Sequence, residues 1–168
     1  NIALHMKLAI VGVTGMVGRE ILEVIKERKL PITELIPVAS KKSRGKQILF
    51  KGVKYKVITL DELLFKSVDL ALFSAGSEIS KNWAPRLASK GVKIVDNSSF
   101  WRMSDQHKLI VPEINGKELT KNDMVISNPN CSTIQLVMVL APLHKKFGVK
   151  RVIVSTYQAV SGTGKKAV

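Results

Sequence analysis

A doubly wound α/β fold is predicted for this chain, and three observations predict it. Short continuous apolar runs of strand length recur, amphipathic stretches with helical spacing lie between them, and a glycine loop sits where the first run meets the first helix. Runs that are apolar throughout belong to strands buried on both faces, so the sheet should be parallel and covered by helices on each side. The 168 residues, 45% apolar and 24% charged, have room for one full core and the start of another. That composition excludes a disordered tail. The longest apolar stretch, IQLVMVLAPL at 134–143, is broken by a glutamine and a proline and falls short of the ~20 residues a membrane span needs.

Each element follows in order. KLAIVGV (7–13) reads as the first strand, and from Arg19 to Lys29 the apolar Ile21, Leu22, Val24 and Ile25 recur at helical spacing until Pro31. ELIPVAS (34–40) is a strand, VKYKVIT (53–59) alternates like a half-exposed or edge strand, and DLALFSAG (69–76) is a buried one. A helix is expected over 82–90, opening near Pro85, where a missing N–H does no harm, and closing at Gly91. Residues 93–97 are another buried strand, followed by a loop and a polar stretch through Asp123. Ser132 to Gln135 fits an S-x-x-Q capping box, which predicts a helix from about Thr133 to Phe147 with Gly148 as its stop. RVIVSTYQAV (151–160) reads as a further strand.

The one cysteine excludes an internal disulfide framework and fits a reducing cytoplasm. The first five residues lack the pattern of a signal peptide and read as added sequence before a native start at Met6. The net charge of +14, from 27 basic and 13 acidic residues, raises a polyanion as partner. The cations are spread along the chain, with doublets at Lys41/Lys42, Lys145/Lys146 and Lys165/Lys166, and the few aromatics do not interleave with them as a base-stacking platform would. A solvated basic surface is expected, with no nucleic acid, no membrane and no metal site.

The loop GVTGMVG (12–18) lies where a dinucleotide fingerprint belongs, with Gly12, Thr14, Gly15, Met16, Val17 and Gly18 as candidate contacts. Glycines there let the backbone turn tightly and approach a pyrophosphate, whose charge meets the N–H groups of the helix start. The spacing is G-x-x-G-x-x-G, so a purely structural turn is the competing reading. A free ribose 2′-hydroxyl asks for an acid about 20 residues past the loop, whereas a 2′-phosphate asks for cations and hydroxyls. Here stand Ser40, Lys41, Lys42, Ser43 and Arg44, which favours NADP over NAD, with a solvated turn as the alternative.

Cys131 lies in Asn128-Pro129-Asn130-Cys131-Ser132-Thr133, directly before a predicted helix. A thiol there meets the positive end of the helix dipole and nearby N–H donors, the setting of reactive cysteines, although a free cysteine also serves as a small buried hydrophobe. A thiolate beside a nicotinamide site points to aldehyde oxidation through a thiohemiacetal and a thioester, or its reverse. Arg102, in a nearly uncharged loop with Ser98, Ser99 and Trp101, is a candidate anion site or simply a surface arginine. His107 in a polar loop and His144 in a last helical turn are not convincing as the base.

With GVTGMVG, ASKKSRG, LFSAGS, VDNSSFWR, PNCSTIQ and STYQAVSGTG in order from Met6 to Val168, the sequence resembles bacterial-type aspartate-β-semialdehyde dehydrogenases. Glyceraldehyde-3-phosphate dehydrogenases and N-acetyl-glutamyl-phosphate reductases share the plan but surround their cysteine differently. The resemblance implies a Rossmann-like sheet over 6–130 and, over 131–168, the truncated start of an α+β catalytic and dimerisation domain. It implies NADP-dependent reductive dephosphorylation of L-aspartyl-4-phosphate to the semialdehyde, on the route to lysine, methionine and threonine, by a cytoplasmic homodimer. Cys131 matches the nucleophile, Asn130 its substrate-holding neighbour, Gln158 the glutamine that orients the intermediate, and Arg102 the arginine that binds phosphate. Thr14 to Val17, Ser40 to Ser43, Ser74, Ala75 and Gly76, with Ser161 and Gly162, match cofactor contacts. Lys42 stands where an arginine is common, and a point charge replaces a fork. Family chains run on to supply a histidine acid/base and a carboxylate-binding arginine, so these residues are expected to be an N-terminal portion, inactive alone. A non-catalytic nucleotide-binding module is the alternative.

Overall fold

The computed structural model describes residues 6–160. The chain runs through β1 (Met6–Val11), α1 (Met16–Glu27), β2 (Ile32–Val38), β3 (Gln47–Phe50), β4 (Val53–Lys56), α2 (Leu60–Leu63), β5 (Leu70–Phe73), α3 (Ser77–Ala88), β6 (Lys93–Asp96), α4 (Pro112–Asn115), β7 (Val125–Ser127) and α5 (Cys131–Phe147). Five strands form one parallel sheet in the order β2-β1-β5-β6-β7. The doubly wound α/β expectation holds, because alternate residues of each strand feed two separate cores. Ala9, Val11, Ala71, Phe73 and Ile94 face Leu63 of α2 and Ala84 and Leu87 of α3, while Leu8, Ile10 and Leu35 face Leu22 and Ile25 of α1. Phe50 and Val57 extend the second core under the antiparallel hairpin β3–β4.

The order of the strands places the site. From β1 the chain crosses to β2 on one side and returns to β5 on the other, so the loops after β1 and β5 diverge and leave a crevice at the carboxyl ends of the strands.

Several boundaries differ from the sequence reading. α1 opens at Met16, three residues before Arg19, and α3 opens at Ser77 rather than Asn82. Pro85 therefore lies inside α3. Its lost hydrogen bond is outweighed by burial of Ala84 and Leu87 against the sheet. The run expected over 53–59 is a strand only over Val53–Lys56, where it pairs with the unforeseen β3; beyond that, Ile58 bridges to the edge of the main sheet, donating to Pro37 O and accepting from the Ala39 N–H at 3.0 Å each. β7, three residues long, follows the polar stretch that ends at Asp123 and was not expected. The expected strand at 151–160 does not form: over 151–159 no residue enters a strand ladder, and Ile153 and Tyr157 are 87% and 99% exposed. A strand is stable only when a neighbour takes its hydrogen bonds.

The capping box at Ser132 to Gln135 is also corrected. The N-cap of α5 is Asn130, whose Oδ1 accepts from the backbone N–H of Ser132 (2.9 Å) and of Thr133 (3.4 Å), so the helix starts at Cys131. Gly148 closes it as predicted, in the left-handed conformation at φ 67°.

Candidate active site

The crevice between the ends of β1, β2 and β5 is a cleft of about 380 Å³. Gly12, Thr14 and Gly15 from the first loop, Ser40 from the end of β2, and Ser74 and Ala75 from the end of β5 all line it. Gly12 adopts φ 93°, and a Cβ on it would overlap the Ser74 carbonyl. Its N–H, with that of Val13, donates to Val38 O (2.9 and 3.2 Å), so a single turn ties three strand ends together. Gly18 has a different task. A Cβ there would lie 2.7 Å from Val13 Cα and overlap the Gly12 carbonyl, so its absence lets α1 descend onto the loop. The first turn of α1 carries no acid, and no side chain caps its opening N–H groups. Those donors and the dipole suit a pyrophosphate.

Met16 and Val17 are exposed in that first turn, and Gly76, at φ 90°, caps α3 beside Ser74 and Ala75. Ser161 and Gly162 lie outside the described residues. The walls of the cleft include Leu60 of α2 and Ile79 of α3, which the sequence did not single out. α2 is a four-residue helix with too little periodicity to announce itself.

Lys41 to Ser43 form a single 3-10 turn directly after Ser40, with both lysines exposed and Ser43 buried. Arg44 points to a partner of its own: Nε and Nη2 donate to Glu62 Oε1 at 3.0 and 2.6 Å. Hydrogen bonds from Arg44, and from the Thr59 backbone N–H that Glu62 caps in turn, hold the Glu62 carboxyl down at about 2. The Glu62 carboxylate, two residues from the cleft-lining Leu60, is thus already engaged.

Cys131 is the first residue of α5, exposed and free. Gln158 returns to it, with Nε2 3.9 Å from Sγ. Asn130 turns its Oδ1 to the helix as the cap, leaving its Nδ2 for another partner. Arg102 is half-buried and held by two carbonyls: Nε donates to Asn128 O (3.0 Å) and Nη2 to Asn97 O (3.1 Å). Among the described residues no carboxylate pairs with it. Sequence reasoning missed Asn97 and Asn128, whose side chains are joined across the ends of β6 and β7 at 2.7 Å. His107 is packed edge-on against Trp101, with ring centroids 4.5 Å apart, rather than simply exposed, and His144 sits at the far end of α5 from Cys131.

The chain is 53% identical to the aspartate-semialdehyde dehydrogenase of Aquifex aeolicus over 165 residues, and 42% identical to that of Bacillus subtilis over 163. These alignments cover 96% and 97% of this chain but 48% and 47% of the relatives, so the chain spans about half the length of the curated relatives it matches. The crystal structure of aspartate semialdehyde dehydrogenase II from Vibrio cholerae, complexed with ASA, superposes with a TM-score of 0.92 at 42% identity, over 97% of this chain and 49% of that one. Two family models match in tandem. One, described as the semialdehyde dehydrogenase dimerisation domain, takes residues 140–168. The other, described as the semialdehyde dehydrogenase NAD binding domain, takes residues 7–122, a stretch that contains the whole glycine-loop cleft. A dinucleotide crevice followed by a cysteine at a helix start is therefore no isolated coincidence of motifs: the chain belongs to the semialdehyde dehydrogenase family.

Proposed function

We propose that this chain supplies the nucleotide cleft and the nucleophile of an NADP-dependent aspartate-semialdehyde dehydrogenase, which reduces and dephosphorylates L-aspartyl-4-phosphate. The observation that carries the reading is Cys131 at the first position of α5, with the Gln158 amide beside its sulfur and an arginine, without a carboxylate partner among the described residues, held at the ends of the two preceding strands. The names of the relatives support aspartate semialdehyde as the aldehyde of the reaction.

The Cys131 thiolate attacks the acyl-phosphate carbonyl carbon. The S–C bond forms as the C–O bond breaks, and phosphate departs with the bonding electron pair toward the Arg102 guanidinium. The Gln158 amide, already at the sulfur, is placed to donate to the carbonyl oxygen of the resulting thioester. The dinucleotide, when bound, supplies the hydride that reduces it. Collapse of the thiohemiacetal then restores the thiolate and frees the aldehyde. Neither His107 nor His144 is placed to act as the proton donor.

The residues fit the dinucleotide: the cleft offers a glycine turn, an unblocked helix start and the apolar walls of Leu60 and Ile79. For the 2′-phosphate the reading rests on Ser40, Lys41 and Lys42, and on Arg44 removing Glu62 as a competing acid. Inorganic phosphate belongs at Arg102. The domain boundary is drawn at Asn130, with the dimerisation match that follows favouring a homodimer.

The test uses a chain of family length carrying these residues, assayed for phosphate-dependent NADPH formation from aspartate semialdehyde. Cys131→Ala should lower kcat by at least about 10³-fold while NADPH still binds, and NAD should give at least about tenfold lower kcat/KM than NADP. Turnover surviving in Cys131→Ala would overturn the nucleophile, and equal use of NAD would overturn the cofactor assignment.

A further inference from the structure

We propose that Asn128 is a positioning residue that sets the phosphate subsite relative to the nucleophile, and this rests on the reading of Arg102 as the phosphate ligand. Every hydrogen-bonding group of Asn128 that faces β6 and its loop is committed. Its backbone N–H donates to Asp96 O (2.8 Å), its carbonyl accepts from Arg102 Nε (3.0 Å), and its Nδ2 donates to Asn97 Oδ1 (2.7 Å). Asn97 is fixed in its turn: its N–H donates to Phe73 O (2.9 Å) at the end of β5, and its carbonyl accepts from Arg102 Nη2 (3.1 Å).

The guanidinium is therefore spanned between two carbonyls, one from each of two neighbouring strand ends. An arginine has five donors in a rigid plane. With one of them on each carbonyl, the plane is set and the remaining donors present one edge to an incoming anion. A long cationic side chain would otherwise sample many rotamers. Two residues beyond Asn128 stands Asn130, the cap of α5, and then Cys131, with the buried Pro129 limiting the backbone between them. The backbone bond from Asn128 to Asp96 brings the two carbonyls together, and the side-chain link from Asn128 to Asn97 fixes their spacing beyond the last ladder bond. Asn128 thus ties the leaving-group site to the attacking sulfur through a short, stiff stretch of chain.

A residue that only stabilised the strand ends would lower all kinetic parameters together or none. A positioning residue for phosphate should separate them. In a chain of family length carrying these residues, Asn128→Ala is expected to raise KM for inorganic phosphate about tenfold, while KM for aspartate semialdehyde and for NADP stay within about twofold. Asn97→Ala removes the same link from its other end, leaves the backbone before Cys131 untouched, and serves alone should Asn128→Ala fail to fold. The double variant should be no worse than the single ones, since one link is lost in each. Unchanged phosphate KM, equal shifts in all three KM values, or additive losses would overturn the proposal. Arg102→Ala separates the two levels: if it leaves phosphate KM unchanged, the phosphate reading itself fails, whereas a large rise there with none in the asparagine variants sinks only the role of Asn128.

Discussion

Glu62 shows how one side chain can settle several questions at the cofactor end. Its Oε1 takes two N–H groups of Arg44, and its Oε2 takes the backbone N–H and the hydroxyl of Thr59, so it closes a capping box and an ion pair together. The hydrogen bond from Arg44, followed by that from the Thr59 backbone, brings its carboxyl from 4.5 down to about 2. Asp123 is lowered likewise to about 2, chiefly by the Lys108 ammonium and then by the Thr120 backbone N–H. A carboxylate whose folded value is depressed adds stability above its unfolded value and gives it up as the pH falls toward the folded one. Stability should therefore fall between about pH 4.5 and 2, and Arg44→Gln should flatten part of that limb. The urea midpoint followed against pH reads this, and an unchanged acid limb in Arg44→Gln would refute the pairing. Nothing in the sequence joined residue 44 to residue 62. Arg44 was counted with the cations of the 2′-phosphate site because proximity along the chain was the sole guide, and the fold assigns its guanidinium a carboxylate eighteen residues away.

Among the elements, α5 matters most, because its start carries the sulfur. Both Ser132 and Asn130 are good caps by residue type, and local pattern favoured Ser132 with Gln135 three residues on. The backbone chose Asn130 because that residue is extended, at φ −61° and ψ 143°, after Pro129. Asn130→Ala should cost about 1 kcal/mol of stability, Asn130→Asp much less, and Ser132→Ala nearly nothing. Thermal or urea unfolding of the three variants checks the assignment, and a larger loss in Ser132→Ala would restore the capping box. Other misplacements share a cause. Pro85 was read as a helix opening because local rules disfavour proline inside, but burial of Ala84 and Leu87 holds α3 on the sheet through it. β7 is too short to carry a period, and residues 151–159 have the apolar content of a strand without a neighbour to pair with.

At the scale of the whole molecule, local sequence was informative wherever a feature depends on one strand end. The glycine loop, the Ser40 turn and the Ser74–Gly76 turn were all legible, and the fold brings the three to one cleft because β2 and β5 flank β1. Features that depend on which strands are neighbours were not legible. The Asn97–Asn128 link and the two carbonyls under Arg102 exist only because β6 and β7 lie side by side, and the Leu60 wall exists only because the chain passes over the end of β2 before reaching β5. Asn130, Cys131 and Gln158 were named from the sequence, yet that Gln158 reaches the sulfur is a fact of the fold. No described helix is long and apolar enough to cross a membrane. Part of the +14 charge is now located, with Arg102 held by two carbonyls at the strand ends and Lys41 and Lys42 exposed beside the cleft. The central claim is that one thiol, one nicotinamide and one phosphate share a single reaction, and stopping that reaction midway tests it most directly. A chain of family length carrying these residues is mixed with aspartate semialdehyde and NADP in the absence of phosphate, and the peptide bearing Cys131 is weighed. The account predicts an acyl thioester on Cys131, formed together with an equal amount of NADPH and discharged when inorganic phosphate is added. NADPH formed with no adduct on Cys131, or an adduct that phosphate does not release, would contradict it.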